Sequence, residues 1–283
     1  MMGELKGKGL GLRQEFLNTL LDYETSPVDF LEIAPENWMK VGGKRQRLFT
    51  QCAERYPITL HGLSLSIGGV DPINIDFVKD VKKFMDDFGI SIYTEHLSYC
   101  SDQQGYLYDL LPLPFTEEAI QYVVKRIKQV QDIIEKPLVL ENVSYYAAPN
   151  QQVSEIDFLN TIIKESGCEL LFDVNNVYVN SINHGYDAKK FIDQIPADKI
   201  RYIHIAGHLQ EAEDLIIDTH GDEVIPEVWD LLRYTYDKFG SMPTLLERDF
   251  NIPTFETLLL ETNKIDQLQK DADFRKERLL CNP

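Results

Sequence analysis

The feature that most constrains this chain is a repeated unit: a short apolar run that breaks at a polar or ionisable residue, alternating with amphipathic helical patterns. The runs fall at residues 10–13, 30–34, 58–65, 91–96, 138–142, 169–174, 200–204 and 244–247. Between them, residues 74–88 place Ile75, Val78, Val81, Phe84, Met85 and Phe88 at helical spacing. Residues 116–135 open with a Thr-Glu-Glu start signal and continue with Ile120, Val123, Val124, Ile127 and Val130. Residues 154–165, 224–239 and 255–268 read the same way, with Ser154 as a further cap. Eight strands alternating with helices predict a single (β/α)8 TIM barrel, an α/β fold, over the whole of 1–283. The charged end, 271–283, reads as a short C-terminal extension.

Other classes fit less well. A doubly wound open sheet would want G-x-G-x-x-G opening a helix, and "GKGLGLR" near the start lacks that spacing. No apolar run approaches the roughly 20 residues of a membrane span, and the first residues lack the apolar stretch of a signal peptide. No membrane association and a cytoplasmic location are therefore expected. Cys52, Cys100, Cys168 and Cys281 are scattered and form no C-x-x-C pair, which suggests reduced thiols rather than a disulfide framework or a thiolate zinc site. The formal net charge of −18, with no basic cluster, argues against nucleic acid as a partner.

A barrel carries its chemistry at the C-terminal ends of its strands. Those ends supply Glu32, His61, Glu95-His96, Glu141-Asn142, Asp173 with its asparagines, His204 and His208 followed by Asp218 and His220, and Glu247. Period-two alternation puts Val139 with Glu141, Leu245 with Glu247, and His204 with Ala206 and His208, so these groups can converge on one mouth. A lone strand-end histidine is ordinarily a solvated loop residue, and a lone carboxylate ordinarily a cap or an ion-pair partner. Convergence changes that, because packed carboxylates repel one another unless cations are present. Imidazole, carboxylate and amide oxygen without thiolate suit iron, manganese, cobalt or zinc. The candidate ligands are His61, His96, Glu141, Asp173, Asn176, His184, His208, Asp218, His220 and Glu247. One ion with an open position needs about three or four protein ligands, so this set suggests two or three ions, with Glu141 and Glu247 as candidate bridges.

The stretch "FDVNNVYVNSINHG", residues 172–185, reads as a strand that delivers Asp173 and an asparagine, packs again through Val177 and Val179, and returns His184 from the following loop. Strand parity favours Asn175 beside Asp173.

In order along the chain, "GLGLR", "FLEIAPENW", "HGLSLSIGG", "TEHLSY", "LENVSYY", "LLFDVNNVYVNSINHG", "IHIAGH", "DTHGDEV" and "LLERDFNIP" resemble the multinuclear non-haem iron-dependent oxidative enzymes. That family was long catalogued as a domain of unknown function and includes the methanobactin-biosynthesis oxidase. The motifs run from about Gly9 to Pro253. The resemblance implies a TIM barrel with two or three irons in a mixed Fe(II)/Fe(III) state and O2 as co-substrate. It implies modification of a residue, often cysteine, in a ribosomally made precursor peptide, commonly presented by a separate partner protein. Its pattern favours Asn176 over Asn175 as a ligand. It leaves His204 as a supporting group or a core histidine beneath the metals. Glu32, Asn37, Tyr145 and Arg248 become candidates for binding the peptide or orienting ligands.

Two rival classes remain at this level. A divalent-metal isomerase or phosphodiesterase on a xylose-isomerase-like barrel also places His, Asp and Glu at strand ends, although a phosphodiesterase acting on DNA would want a basic groove. A non-catalytic metal-binding scaffold need not crowd so many ionisable groups.

Overall fold

All eight predicted runs are strands of one closed parallel barrel, in a computed structural model that describes residues 5–103 and 105–281. In chain order the strands are β1 Lys8–Gly11, β2 Phe30–Ile33, β3 Ile58–His61, β4 Tyr93–His96, β5 Tyr99–Asp102, β6 Gly105–Leu111, β7 Val139–Glu141, β8 Glu169–Asp173, β9 Ile200–Ile205, β10 Leu209–Ala212, β11 Leu215–Ile217 and β12 Thr244–Leu246. The helices are α1 Leu17–Asp22, α2 Gly43–Arg55, α3 Ile75–Phe88, α4 Glu117–Ile134, α5 Glu155–Ser166, α6 Val174–His184, α7 Ala188–Ile192, α8 Pro226–Phe239 and α9 Phe255–Cys281. Around the barrel the strands run β1, β12, β9, β8, β7, β4, β3 and β2, and β2 closes on β1.

The barrel interior is a small apolar cluster distinct from the core under the helices. It contains Phe30, Ile92, Val139, Leu171, Tyr202 and Leu245. Phe30 and Tyr202 meet edge-on at 6.2 Å although their strands are not neighbours. Gly9 is required here by close approach, because a Cβ would stand 2.3 Å from the Phe30 ring. Two residues further along each strand the inward position turns polar: Glu32, Thr94, Glu141, Asp173, His204 and Glu247. One apolar layer therefore forms the floor of a polar one.

Three helices start with side-chain caps, two of them, at Thr116 and Ser154, expected from the sequence. Asn74 accepts from Phe77 N, Thr116 from Ala119 N and Ser154 from Asp157 N, each worth about 1 kcal/mol. The inward faces of α3, α4 and α5 bury Val78, Val81, Val123, Ile127, Ile162 and their neighbours against the outside of the sheet.

Several elements depart from the sequence reading. Residues 174–184 form a helix rather than a packing stretch and loop, because Asp173 Oδ1 accepts from Asn176 N at 2.5 Å and caps it. Gly185 ends that helix at φ 69°, a left-handed cap suited to glycine. Two antiparallel hairpins, β5–β6 and β10–β11, stand outside the barrel sheet. The stretch from 271 is helical: α9 runs unbroken to Cys281, and residues 282–283 lie outside the described ones. Cys52, Cys100 and Cys168 are buried free thiols, and no described helix is long and apolar enough to cross a membrane.

Candidate metal centre

Neighbouring strands bring the polar layer into register. His96 pairs with Glu141 across β4 and β7, and Asp173 pairs with His204 across β8 and β9. Glu141 Oε2 lies 3.2 Å from His61 Nε2 and 3.4 Å from His96 Nε2. Glu247 Oε2 lies 2.8 Å from His204 Nδ1 and 3.1 Å from His220 Nδ1. His220 Nε2 is 2.8 Å from Asp218 Oδ1. Each of the two glutamates thus meets two imidazoles. His220 adopts φ 46°, a left-handed conformation that costs a non-glycine residue on the order of 1 kcal/mol and collects at functional sites.

Supporting hydrogen bonds orient two of the rings. Thr94 Oγ1 donates to Leu60 O, so it accepts from His61 Nδ1 at 2.6 Å and leaves His61 Nε2 facing Glu141. Asn175 Nδ2 donates to Asp218 Oδ1, so its oxygen accepts from His208 Nδ1 at 2.7 Å and leaves His208 Nε2 open. His204 is fully buried, with Nε2 2.9 Å from Glu32 Oε1. Glu32 is held in turn by Thr59 and Tyr202.

The decisive feature is what remains unpartnered. Glu141 Oε2, Asp173 Oδ2, Asn176 Oδ1, Glu247 Oε2, His96 Nδ1, His220 Nε2 and both nitrogens of His204 are buried with no hydrogen bond inside the protein. Several of these atoms stand at ion-pair distance from one another. A buried unsatisfied polar atom ordinarily costs about 1–3 kcal/mol, so a cluster of this density is unfavourable unless cations occupy it. In several members one atom holds the fold and the other is bare. Asn176 Nδ2 donates to Glu141 Oε1 and Asn142 O, and Asp173 Oδ1 caps α6. The donor atoms of His61, Glu141 and His204 lie within 4.8 Å of one another, as do those of Glu141, Asp173, His204 and Glu247, and those of His220, Glu247 and Asp249. These overlapping groups of oxygen and imidazole donors fit hard or borderline cations.

The electrostatics agree. Burial pushes Asp173 well above the ordinary carboxylate range, with Glu141 and Asp218 adding repulsion that His220 and His204 only partly relieve. Burial opposes ionisation of Glu141 and Glu247, yet the adjacent imidazoles hold both low. His61 rises to about 9 because Glu141, Glu32 and Glu247 outweigh its burial. His96 falls to about 4 through burial. Protons on imidazole therefore supply, in the metal-free protein, the positive charge the carboxylates require.

Of the candidate ligands named from sequence, His184 is placed away from this cluster, and His208 is linked to it through Asn175. His184 is exposed at the end of α6, stacks on Tyr145 at 4.0 Å, and bonds the Tyr145 carbonyl through Nε2 at 2.8 Å. The reason is the helix itself, which carries residue 184 three turns away from Asp173. Between the two asparagines, Asn176 carries the bare oxygen, whereas Asn175 links His208 to Asp218. Asp249 joins the cluster through His220 at 3.5 Å and was not among the sequence candidates. Its alternation with Leu245 and Glu247 in "LLERD" was the available signal.

The residues proposed for peptide contact divide. Glu32 lies within the polar layer, against His204. Arg248 is buried in an ion pair with Glu261 at 2.6 Å, which ties the end of β12 to α9. Asn37 is exposed, and its carbonyl accepts from Arg45. Tyr145 is turned outward: its hydroxyl donates to Glu155, and it borders a cavity of about 30 Å³ against α5. The next residue, Tyr146, faces the mouth. Together with Leu63, Tyr106, Leu110 and Phe250 it lines a cavity of about 860 Å³ that reaches down to His96, Glu141, Asn176, His220 and Glu247.

A family model described as "RiPP precursor modification enzyme MbnB/TglH/ChrH" matches residues 7–270. A UPF0276 protein of Shewanella sediminis is 56% identical over 268 residues, 95% of this chain and 96% of the relative. One from Alcanivorax borkumensis is 54% identical over 286 aligned positions, 96% and 95% of the two chains. Among solved structures, a xylose isomerase-like TIM barrel protein from Mycobacterium smegmatis aligns with a TM-score of 0.59 at 12% identity, covering 92% of this chain and 88% of that one. A 3-keto-D-glucoside 4-epimerase from E. coli aligns with a TM-score of 0.58 at 11% identity, covering 93% and 98%. Likeness at that identity concerns the barrel alone.

Proposed function

Because this chain belongs to the MbnB/TglH/ChrH family of RiPP precursor modification enzymes, we propose that it is a multinuclear non-haem iron oxidase. It uses O2 to modify a residue, with cysteine favoured, of a ribosomally made precursor peptide. The observation that carries this reading is the layer of buried, unpartnered oxygen and nitrogen atoms at the strand ends.

His61, His96, Glu141, Asp173, Asn176, His208, Asp218, His220 and Glu247 would hold two or three irons. Glu141 and Glu247, each already between two imidazoles, would offer carboxylate oxygens to more than one ion. His204, clasped by Glu32, supports Glu247 from beneath, and Asp249 closes the group beside His220. Bound iron supplies one-electron redox chemistry and the activation of O2. The protein's part is to fix the donors on rigid strand ends, orient the rings through Thr94 and Asn175, and limit water above the cluster. The cavity under Tyr106, Tyr146 and Phe250 is large enough for a peptide segment, its apolar lip suiting side chains that flank the reacting residue. A separate protein that presents the precursor, and a cytoplasmic setting, belong to the same proposal.

The test is to purify the protein without oxygen, count its metals, and record Mössbauer spectra with and without reductant. Two or three irons, together with O2 uptake that depends on a thiol-containing peptide, are expected. A single tightly held zinc with no uptake of iron on reconstitution would sink the reading.

A further inference from the structure

Helix α6 carries four asparagines in eleven residues, Asn175, Asn176, Asn180 and Asn183, although asparagine is a poor helix former. Each spends its amide outside the helix. Asn175 and Asn176 bond groups of the centre described above. The other two touch no candidate ligand. Asn180 is fully buried; it accepts from Tyr145 N at 3.0 Å and donates to Val143 O at 3.1 Å. Asn183 accepts from Ile216 N and donates to Ile216 O, both at 2.9 Å. The first pair of bonds flanks Ser144, and the second falls just ahead of Asp218.

These two stretches meet at Asp218. Ser144 Oγ donates to Asp218 Oδ2 at 2.8 Å, and Asp218 N donates to Tyr146 Oη at 3.0 Å. Asp218 has particular need of such support. Glu141 and Asp173 end barrel strands, whereas Asp218 follows the β10–β11 hairpin outside the barrel sheet, whose strand β10 is exposed along its length. A donor on a loop is held less precisely than one on a strand, and its neighbours must supply the difference. His184 bonds only the Tyr145 carbonyl, beyond Ser144 and at the exposed helix end, where water can replace it.

We propose that Asn180 and Asn183 are positioning residues: by pinning the backbone on both sides of Ser144 and at Ile216, they fix Asp218 beside His220. The consequence, tighter binding of a cation that Asp218 and His220 would share, rests on the metal-binding reading above.

The experiment has two arms. In the first, Mn(II) is titrated into the metal-free protein and binding is read by calorimetry and by the EPR signal of the free ion. Asn180→Ala, Asn183→Ala and Ser144→Ala should each weaken one site by about tenfold, with a cooperative thermal transition retained. Asn160→Ala, which removes a comparable side-chain bond to Gln194 O, should leave affinity unchanged. The double variant Asn180→Ala/Ser144→Ala should bind no more weakly than the weaker single variant, because both act through one bond to Asp218. Wild-type affinity in folded Asn180→Ala or Asn183→Ala, an additive loss in the double variant, or an equal loss in Asn160→Ala overturns the proposal. If Asn180→Ala does not fold, Asn183→Ala, whose bonds are only half-buried, decides in the same way. In the second arm, metal-free Asn183→Ala is crystallised. The Asp218 carboxylate should have left hydrogen-bond distance of Ser144 Oγ; an Asp218 placed as in the wild type overturns the proposal. A wild type that binds no Mn(II) would defeat the metal-binding reading, and the crystal arm would still decide whether the asparagines position Asp218.

Discussion

Asn176 and Glu141 hold each other through one atom and leave another bare. Asn176 Nδ2 donates to Glu141 Oε1 at 3.0 Å, and Asn176 Oδ1 and Glu141 Oε2 are both buried without a hydrogen-bond partner. The arrangement fixes two donors at the junction of β7 and α6 before any ion arrives, so binding requires little reorganisation.

Replacing Glu141 by Gln keeps the shape and removes the charge that draws both His61 and His96. Iron affinity should fall at least tenfold, read as iron per protein after anaerobic desalting. The circular dichroism spectrum and a cooperative thermal transition should persist. Iron stoichiometry equal to that of the wild type would remove Glu141 from the ligand set.

Asp173 has two separable roles. As the cap of α6 it should be replaceable by Asn, whose oxygen can accept from Asn176 N, with little loss of metal-free stability. Asp173→Ala should lose about 1 kcal/mol, measured by urea unfolding. Both variants should bind less iron, because each removes the buried charged oxygen. Normal iron binding by Asp173→Asn would reduce the residue to a helix cap.

His184 should be dispensable for metal. His184→Ala should keep wild-type iron content, and its lost stacking on Tyr145 should lower stability by about 0.5–1.5 kcal/mol. Loss of an iron in this variant would restore His184 to the centre.

Metal binding should release protons. His61, raised to about 9, carries a proton at pH 7 in the metal-free protein, and a cation at its Nε2 must displace it. Affinity for Mn(II), a redox-quiet probe, should therefore rise as pH increases toward 9 and flatten above it. Isothermal titration in two buffers of different ionisation enthalpy would count the protons; no release at pH 7 would contradict the assignment.

Glu155 provides a pH dependence remote from the centre. Burial lifts it to about 7, although Tyr145 and Asn180 donate to its carboxylate. Between about pH 4.5 and 7 the native state holds this proton and the unfolded chain has released it, so stability falls as pH rises through that window. A shift of this size corresponds to at most about 3 kcal/mol. Glu155→Gln, which carries no charge to desolvate, should flatten the slope of unfolding free energy against pH between 5 and 7. An unaltered slope would mean that the carboxyl titrates normally.

The barrel was legible because each of its strands repeats the same physics. Val139–Leu140–Glu141 and Leu245–Leu246–Glu247 announce an apolar floor and an inward carboxylate by period-two alternation alone. The caps at Thr116 and Ser154 were equally local, since a side-chain oxygen bonds a backbone N–H three residues on. The helix over residues 174–184 was not anticipated, because Asp173, Asn175 and Asn176 read locally as a turn. The hairpins β5–β6 and β10–β11 were not anticipated, and they lie outside the main alternation of barrel strands and helices.

What the sequence determined by itself was which residues can point inward and what chemistry they carry, because alternation and residue type are properties of the local chain. Only the tertiary structure decided which of them meet. Barrel closure set Glu141 between His61 and His96, brought His204 from across the sheet onto Glu32, and added Asp249 to His220. The capped helix after Asp173 turned Asn176 inward and carried His184 away. Those outcomes depend on register between strands far apart in sequence, and on where a strand gives way to a helix.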